Sequence, residues 1–363
     1  MKKVLYIAPH RPDRAPSQRF RFEQYIPFLK ENGYDYTFSY LLSEKQDKMF
    51  YGKGNTVKKF FLLCNKFLYR LNDILKTKNY DLIFIQREAF FMGPPFFEYL
   101  LSKINTPFIF DFDDSIWLPN VSKANKNFTF LKNYGKTAKI ITYADMIFAG
   151  NQYLASYASN YNNNVHIIPT TINTDEYVNN NVNKHHHNGK IIIGWSGSIT
   201  TIQHFEFAIP FLTRIKTKYG DKVGFKIIGD ASYVNKELGI VGLPWNKDNE
   251  IEELSSIDIG IMPLPDDEWA RGKCGLKGLQ YMALEIPSIM SPVGVNTEII
   301  QDGFNGFLCS TVDEWEERIS QLIESPAHRE RIGKQGRQTV IEKYSFESQK
   351  SRYLQYFNEL TSK

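Results

Sequence analysis

The sequence predicts an α/β protein made of two parallel, doubly wound domains. Three observations carry that expectation. Short apolar runs, each closed by proline, glycine or a polar turn, recur along the 363 residues, as buried parallel strands do. Helix-length amphipathic segments separate them, the alternation that builds a parallel sheet. The rhythm stops in a stretch rich in Asn, Thr and His at 162–189 and then begins again. That break divides the chain into residues 1–170, a linker at 171–189, and residues 190–344, with one more helix after them.

Residues 4–8 are the first apolar run, stopped by Pro9. His10 and a dense set of cations, Arg11, Arg14, Arg19 and Arg21, follow it. A helix then runs to Glu31 and ends at Asn32 and Gly33, an ordinary C-terminal signal. Residues 34–40 are the second strand. Over 56–78, Val57, Phe60, Phe61, Cys64, Phe67, Leu68, Leu71, Ile74 and Leu75 fit helical spacing, with six cations interleaved. This helix reads either as a core helix with a solvated face or as a basic, aromatic helix beside anionic lipid. Strands at 81–86, 107–110, 145–149 and 165–168 complete the first half. Arg87 follows the third strand, and Asp111, Asp113 and Asp114 close the fourth.

His185, His186 and His187 lie in the linker, and no second cluster of metal ligands accompanies them; they read as solvated linker more readily than as a metal site. The second half opens with a strand at 190–195 and the small-residue turn from Ser196 to Thr201. A helix at 205–218, a strand at 223–228, a helix at 250–255 and a strand at 258–262 follow. Next come a glycine-rich basic turn with its helix, a strand at 287–291 and an edge strand at 305–308. Helices at 313–325, 326–342 and 345–360 end the chain.

Composition narrows the function classes. Hydrophobic residues make up 42% and charged residues 23% of the chain, a globular and not a disordered balance. A net charge of +4 is too small to imply nucleic acid, so any basic function comes from local clustering. Cys64, Cys274 and Cys309 are widely spaced and offer neither a disulfide framework nor zinc spacing, which suits a reducing, cytoplasmic setting. The apolar run at the N-terminus is too short for a signal peptide, and no run approaches the ~20 residues of a membrane span. Peripheral contact with a membrane stays open.

The chemistry-bearing residues fall at the carboxyl ends of the strands, where open parallel sheets bind ligands. Arg271, Gly272, Lys273, Cys274, Gly275, Leu276 and Lys277 lead into a helix. A helix N-terminus carries free backbone N–H groups and partial positive charge, and the three cations add to it. The turn suits a diphosphate better than a single charge. Ser196, Gly197 and Ser198 form a second candidate phosphate turn, with helix capping by Thr200 or Thr201 as the plainer reading. No Gly-x-Gly-x-x-Gly follows a strand, so a dinucleotide redox enzyme is disfavoured. His10, Arg11, Arg19, Arg21 and Arg87 are candidates for an acidic or phosphate-bearing acceptor. Asp111, Asp113 and Asp114 are close enough to repel, so some must be paired, exposed or shifted.

From Cys274 through Met282 and Ala283 to Pro287 and Gly294, and on to Glu298 and the Asn305, Gly306, Phe307, Leu308 ending, the chain resembles the family 4 retaining glycosyltransferases. The resemblance implies the GT-B fold, two facing Rossmann-like domains, and a last helix that crosses back to the first. It implies transfer of a sugar from a nucleotide-sugar donor held by the second domain to an acceptor held by the first. No metal and no further cofactor are expected, because basic side chains and a helix end neutralise the leaving diphosphate. The family's two glutamates, seven residues apart, fall here on Gly272 and Gln280, and its N-terminal histidine has no clear match.

On that basis the expected roles are these. Arg271 and Lys277 stabilise the diphosphate as the glycosidic bond breaks. Asp113 or Asp114 positions or deprotonates the acceptor hydroxyl. Ser196, Gly197, Ser198, Lys273, Cys274, Gly275, Leu276 and Gln280 hold the donor, with Gln280 on a ribose hydroxyl. The expected setting is the cytoplasmic face of the inner membrane of a bacterium, building a surface glycan on a glycan or lipid-linked acceptor. Two rivals accompany this reading. One is a metal-dependent transferase using Asp111 and Asp113; the other is a non-catalytic nucleotide-sugar-binding partner of an active transferase.

Overall fold

The computed structural model describes residues 1–52, 54–119, 133–179 and 189–362. The chain divides into two compact units, residues 1–170 with 349–363, and residues 171–348. His185, His186 and His187 lie outside the described residues.

The first unit is built on six parallel strands, β1 (Lys2–Ala8), β2 (Tyr34–Tyr40), β3 (Leu82–Gln86), β4 (Phe108–Phe112), β5 (Met146–Ala149) and β6 (Val165–Ile167). Their order in the sheet is β2-β1-β3-β4-β5-β6. Register is set by apolar residues: Val4 pairs with Leu82, Ile83 with Phe108 and Ile109 with Met146. Every residue of β3, β4 and β5 is buried, as expected for strands covered on both faces. The connecting helices are α1 (Pro16–Arg19), α2 (Ile26–Glu31), α3 (Glu44–Tyr51), α4 (Thr56–Lys76), α5 (Phe96–Leu101), α6 (Lys136–Tyr143) and α7 (Gln152–Ala158).

The second unit has a five-stranded parallel sheet and a small antiparallel ribbon. Its strands are β7 (Ile191–Ser196), β8 (Val223–Ile228), β9 (Val234–Asn235), β10 (Ile240–Val241), β11 (Ile259–Met262), β12 (Ser288–Met290) and β13 (Phe307–Leu308). The main order is β13-β12-β11-β7-β8, with β9 and β10 as the ribbon. Its helices are α8 (Ile202–Phe205), α9 (Ile209–Tyr219), α10 (Glu250–Ser255), α11 (Glu268–Arg271), α12 (Leu276–Ala283), α13 (Asn296–Ile299), α14 (Val312–Glu324) and α15 (Pro326–Thr339). The Phe211 and Trp315 rings stack 4.6 Å apart where α9 meets α14.

A final helix, α16 (Phe346–Thr361), starts on a Ser345 hydroxyl that accepts from the Ser348 N–H at 3.0 Å. Its later residues pack into the first unit. Tyr353 stacks on Tyr25 at 4.1 Å, and the Tyr34 hydroxyl donates to Asn358 at 2.9 Å.

Several elements depart from the sequence reading for identifiable reasons. The single helix expected before Glu31 is broken, and α2 restarts with Pro27 in its first turn. The helix expected at 205–218 likewise restarts as α9 with Pro210 in its first turn. Proline lacks the N–H of a helix interior but suits a helix start. Strand β4 runs two residues beyond its expected end, which puts Asp111 inside the sheet and not past it. Part of the expected linker is packed: Tyr177 is buried and its hydroxyl donates to Glu250 at 2.9 Å. Among the described residues, no helix is long and apolar enough to cross a membrane.

Candidate functional site

In the first unit, the carboxyl ends of β1, β3 and β4 carry a charged group. Arg87 follows β3 in a left-handed conformation with φ 62°. For a residue with a Cβ that costs of order 1–3 kcal/mol, so its surroundings hold it there. Its backbone N–H donates to the Asp111 carbonyl at 2.8 Å. Its guanidinium spans two carboxylates, donating to Asp113 at 2.9 Å and Asp114 at 3.0 Å. Burial works against that charge, but Asp113 and Asp114 more than offset it and hold the guanidinium above its ordinary pKa. The repulsion expected among the three aspartates is thus relieved by two arginines, with Arg21 taking Asp111.

Arg21 corrects an expectation. It is fully buried, its Nε 3.1 Å from Asp111, and its other nitrogens donate to Asp111 and the Ile168 carbonyl. It therefore ties β4 to β6 and does not meet an acceptor. Nor do the other arginines form one cluster. Arg11 and Arg14 both donate to Asp47 of α3, at 3.2 Å and 2.8 Å, while the Arg19 guanidinium lies 4.9 Å above the Phe20 ring.

His10 stands at the end of β1, with the Tyr51 and Phe91 rings each 6.4 Å away. Gln18 clamps its backbone, accepting from the N–H and donating to the carbonyl, both at 2.9 Å. Its Nδ1 is buried and has no hydrogen-bond partner. Burial first, then Arg14, push the imidazole down from 6.5 to about 4, so it is neutral near pH 7. Asp47 shapes this corner, and Glu88, paired with Lys136 at 2.5 Å, lies beside it. Sequence reading singled out none of these three, since Asp47 and Lys136 are far from the strand ends in sequence.

In the second unit, the ends of β7 and β12 meet the start of α12. Gly275 precedes α12 with φ 69°, and a Cβ there would lie 2.4 Å from the Ile299 Cδ1. Leu276 and Lys277 form the first turn, and the helix is wholly buried from Gly278 onward. Lys277 reaches back toward β7, its Nζ 5.4 Å over the Trp195 ring. The next residue, Ser196, donates its N–H to the Tyr281 hydroxyl of α12 at 2.8 Å. Burial pushes that phenol far above its ordinary pKa. The structure therefore brings the Ser196, Gly197, Ser198 turn and Lys277 together at the open end of α12.

The turn itself is tight. Gly197 donates to the Ile228 carbonyl at 2.9 Å, and a Cβ on Gly229 would lie 2.0 Å from the Gly197 oxygen. Thr201 accepts from the Ser198 N–H at 2.9 Å and makes no side-chain cap on α8. The plain capping expected for this stretch is absent. The remaining basic residues sit farther along the same loop. Arg271 ends α11 and pairs with Asp266 at 2.8 Å, both exposed, so the pair contributes little to stability. Lys273 lies 5.8 Å over the Trp269 ring, and the Cys274 thiol is 3.9 Å from the Gly272 carbonyl.

Gln280 lies in a buried polar network. It is buried and donates to the Tyr177 hydroxyl at 2.9 Å and to Glu250 at 3.3 Å, while the Trp245 indole also donates to Glu250 at 2.8 Å. Its amide nitrogen is engaged in this network. Among the described residues, no group of three or more His, Cys, Asp or Glu is placed to hold a metal. Asp111 and Asp113, the pair a metal-dependent reading requires, are each engaged by a different arginine.

Comparison with known proteins adds to this geometry. Residues 178–339 match the family described as glycosyl transferases group 1. None of the curated proteins compared matches the chain. The fold is similar to a glycosyltransferase from Rickettsia africae ESF-5, with TM-score 0.70 and 16% identity over 99% of this chain and 98% of that one. It is similar to sucrose-phosphate synthase from Thermosynechococcus elongatus, with TM-score 0.71 and 12% identity over all of both chains. It is also similar to Anabaena HepE in complex with UDP-glucose, with TM-score 0.69 and 11% identity over 99% of this chain and 100% of that one. The two parallel sheets are those of the GT-B fold.

Proposed function

We propose, for a chain whose residues 178–339 match the glycosyl transferases group 1, that it is a retaining transferase whose α12 end holds the donor diphosphate. One observation carries this reading: Lys277, the Ser196, Gly197, Ser198 turn and the N-terminus of α12 converge in one place. Free N–H groups, hydroxyls and an ammonium there match the charge that develops on a leaving nucleoside diphosphate. Arg271 and Lys273, on the same loop, add charge; a phosphate of higher charge outcompetes Asp266 for Arg271. In this reading the protein's own cations neutralise the leaving group.

The acceptor side is proposed at the ends of β1, β3 and β4. Asp113 and Asp114 already accept from Arg87, so they suit orienting an acceptor hydroxyl. His10, neutral and with an unpartnered Nδ1, suits accepting a hydrogen bond or proton from it. Arg87 and Arg11, both close enough to act on His10, supply cations for an acidic or phosphate-bearing acceptor, a glycan or lipid-linked sugar of a bacterial surface polymer. HepE binds UDP-glucose, so a uridine donor is the first to try.

The test is a thermal-shift screen across nucleotide sugars, since a ligand that binds only the folded state raises Tm by mass action. At least one donor is expected to shift the wild-type protein, and Lys277→Ala to remove the shift. Full retention of the shift in Lys277→Ala places the diphosphate elsewhere.

A further inference from the structure

Helix α4 carries an apolar stripe on the side that the core does not use. Its inward face is set by Leu62, Arg70, Asp73 and Ile74, all buried. Arg70 anchors it, donating to the Ala89 carbonyl at 2.9 Å, to Ser39 at 2.7 Å and to Asp73 at 2.8 Å. Val57, Phe60, Phe61, Leu68 and Leu75 are 61–76% exposed. Their spacing of three, four and seven residues puts them on one line along the helix. At 21 residues, α4 is roughly 30 Å long, and its outward line runs nearly from end to end. A contiguous apolar strip of this kind marks an interaction surface on a soluble domain.

Charge decides what the strip fits. Lys58 and Lys76 flank it, both exposed. The one acidic residue within α4, Asp73, is buried against Arg70. Two copies of this face would bring like charges together. A surface of anionic headgroups over acyl chains matches both features, with the aromatic and aliphatic side chains below and the ammonium groups at the phosphates. Phe96 of α5 stacks on Phe67 at 5.7 Å and is itself 40% exposed, which widens the apolar patch beside α4.

We infer that the outward face of α4 docks on an anionic lipid bilayer, lying in the plane of its headgroups. The buried Arg70 ties this helix to the carbonyl of Ala89, two residues past Arg87. Docking by α4 therefore fixes the proposed acceptor group to the membrane, where a lipid-linked acceptor resides. The surface stands on its own observations; its link to a lipid-linked acceptor rests on the function proposed above.

The experiment is flotation of the full chain with vesicles of phosphatidylcholine alone, and of phosphatidylcholine mixed with phosphatidylglycerol. Binding is expected to the mixed vesicles at low salt and to weaken as salt is raised. The triple substitution Phe60→Ser, Phe61→Ser, Leu68→Ser is expected to lower the bound fraction at least about tenfold, given the apolar contact removed. Lys58→Glu with Lys76→Glu is expected to abolish the preference for the mixed vesicles. All these side chains are outside the core, so unfolding curves and donor-induced Tm shifts are expected to match wild type, which separates a failed surface from a failed donor site. Absence of wild-type binding to the mixed vesicles, or unchanged binding in the triple variant, overturns the inference. So does concentration-dependent dimerisation that the triple substitution removes while vesicles bind neither protein.

Discussion

Arg87, Gln280 and His10 each hold a position that ordinary propensity does not explain. The left-handed Arg87 is kept in place by its own N–H to Asp111 and by the two aspartates its guanidinium spans. Gln280 stands where the family that the chain resembles commonly carries a glutamate, and its surroundings give a physical reason. Glu250 is 3.3 Å from its amide nitrogen, buried with it. A second carboxylate there would be buried beside the first and repel it. Gln280→Glu is expected to destabilise the protein by about 2–4 kcal/mol in urea unfolding, and Gln280→Glu with Glu250→Gln to recover most of the loss. A single variant as stable as wild type contradicts the account of this network. His10 makes a prediction about pH. Its folded-state pKa of about 4 lies below the ordinary 6.5, so between those values the unfolded chain binds the extra proton. Stability then rises with pH across this window: it is complete above about pH 6.5 and is lost as pH falls toward 4, by up to roughly 3 kcal/mol. His10→Asn is expected to flatten that part of the stability profile relative to wild type, measured by urea unfolding at a series of pH values.

At the scale of elements, the strands were legible because burial on both faces writes them as unbroken apolar runs, as in the wholly buried Leu82–Gln86 and Phe108–Phe112. The edge position of β13 was legible for the complementary reason, its shortness. The helices were harder. Pro27 and Pro210 restart helices in mid-pattern, and α3, α5, α6 and α7 are six to eight residues long, too short for periodicity to separate them from loops. Helix 56–78 was open to two readings, and α4 satisfies part of each: one face is core and the other is outward and apolar. The basic turn before α12 was legible from its glycines and cations. Its geometry depends on Gly275, whose left-handed φ strains any residue with a Cβ, and a Cβ there would also have to push aside the tip of the Ile299 side chain. Gly275→Ala is expected to cost about 1–2 kcal/mol of stability and to weaken donor binding by shifting the first turn of α12. Calorimetric titration with the donor found by the screen checks this, and an unchanged affinity would show that the turn does not hold the donor.

At the scale of the molecule, the family match and the fold likeness cover different extents. The sequence match stops within the second unit, while the fold likeness spans 98–100% of the paired chains. This follows from what each unit does in the proposed function. A donor diphosphate is the same anion in every related enzyme, so the loop and helix that meet it keep a readable pattern. Acceptors differ, and the acceptor group proposed for the first unit is assembled from side chains brought together from distant positions. Asp47 with Arg11 and Arg14, and Glu88 with Lys136, are examples. Such pairs leave no local spacing to read, which is why Arg21 looked like a ligand and is instead buried under Asp111. The central claim is sugar transfer through a diphosphate site at Lys277 without a metal. Its most direct measurement is release of nucleoside diphosphate from a nucleotide sugar in the presence of a chelator, with water or a supplied glycan as acceptor. Wild type is expected to release it, Lys277→Ala to lose at least about a hundredfold of the rate, and Arg11→Ala to keep the slow reaction with water. Release that needs added manganese, or that is equal in wild type and Lys277→Ala, would contradict the account.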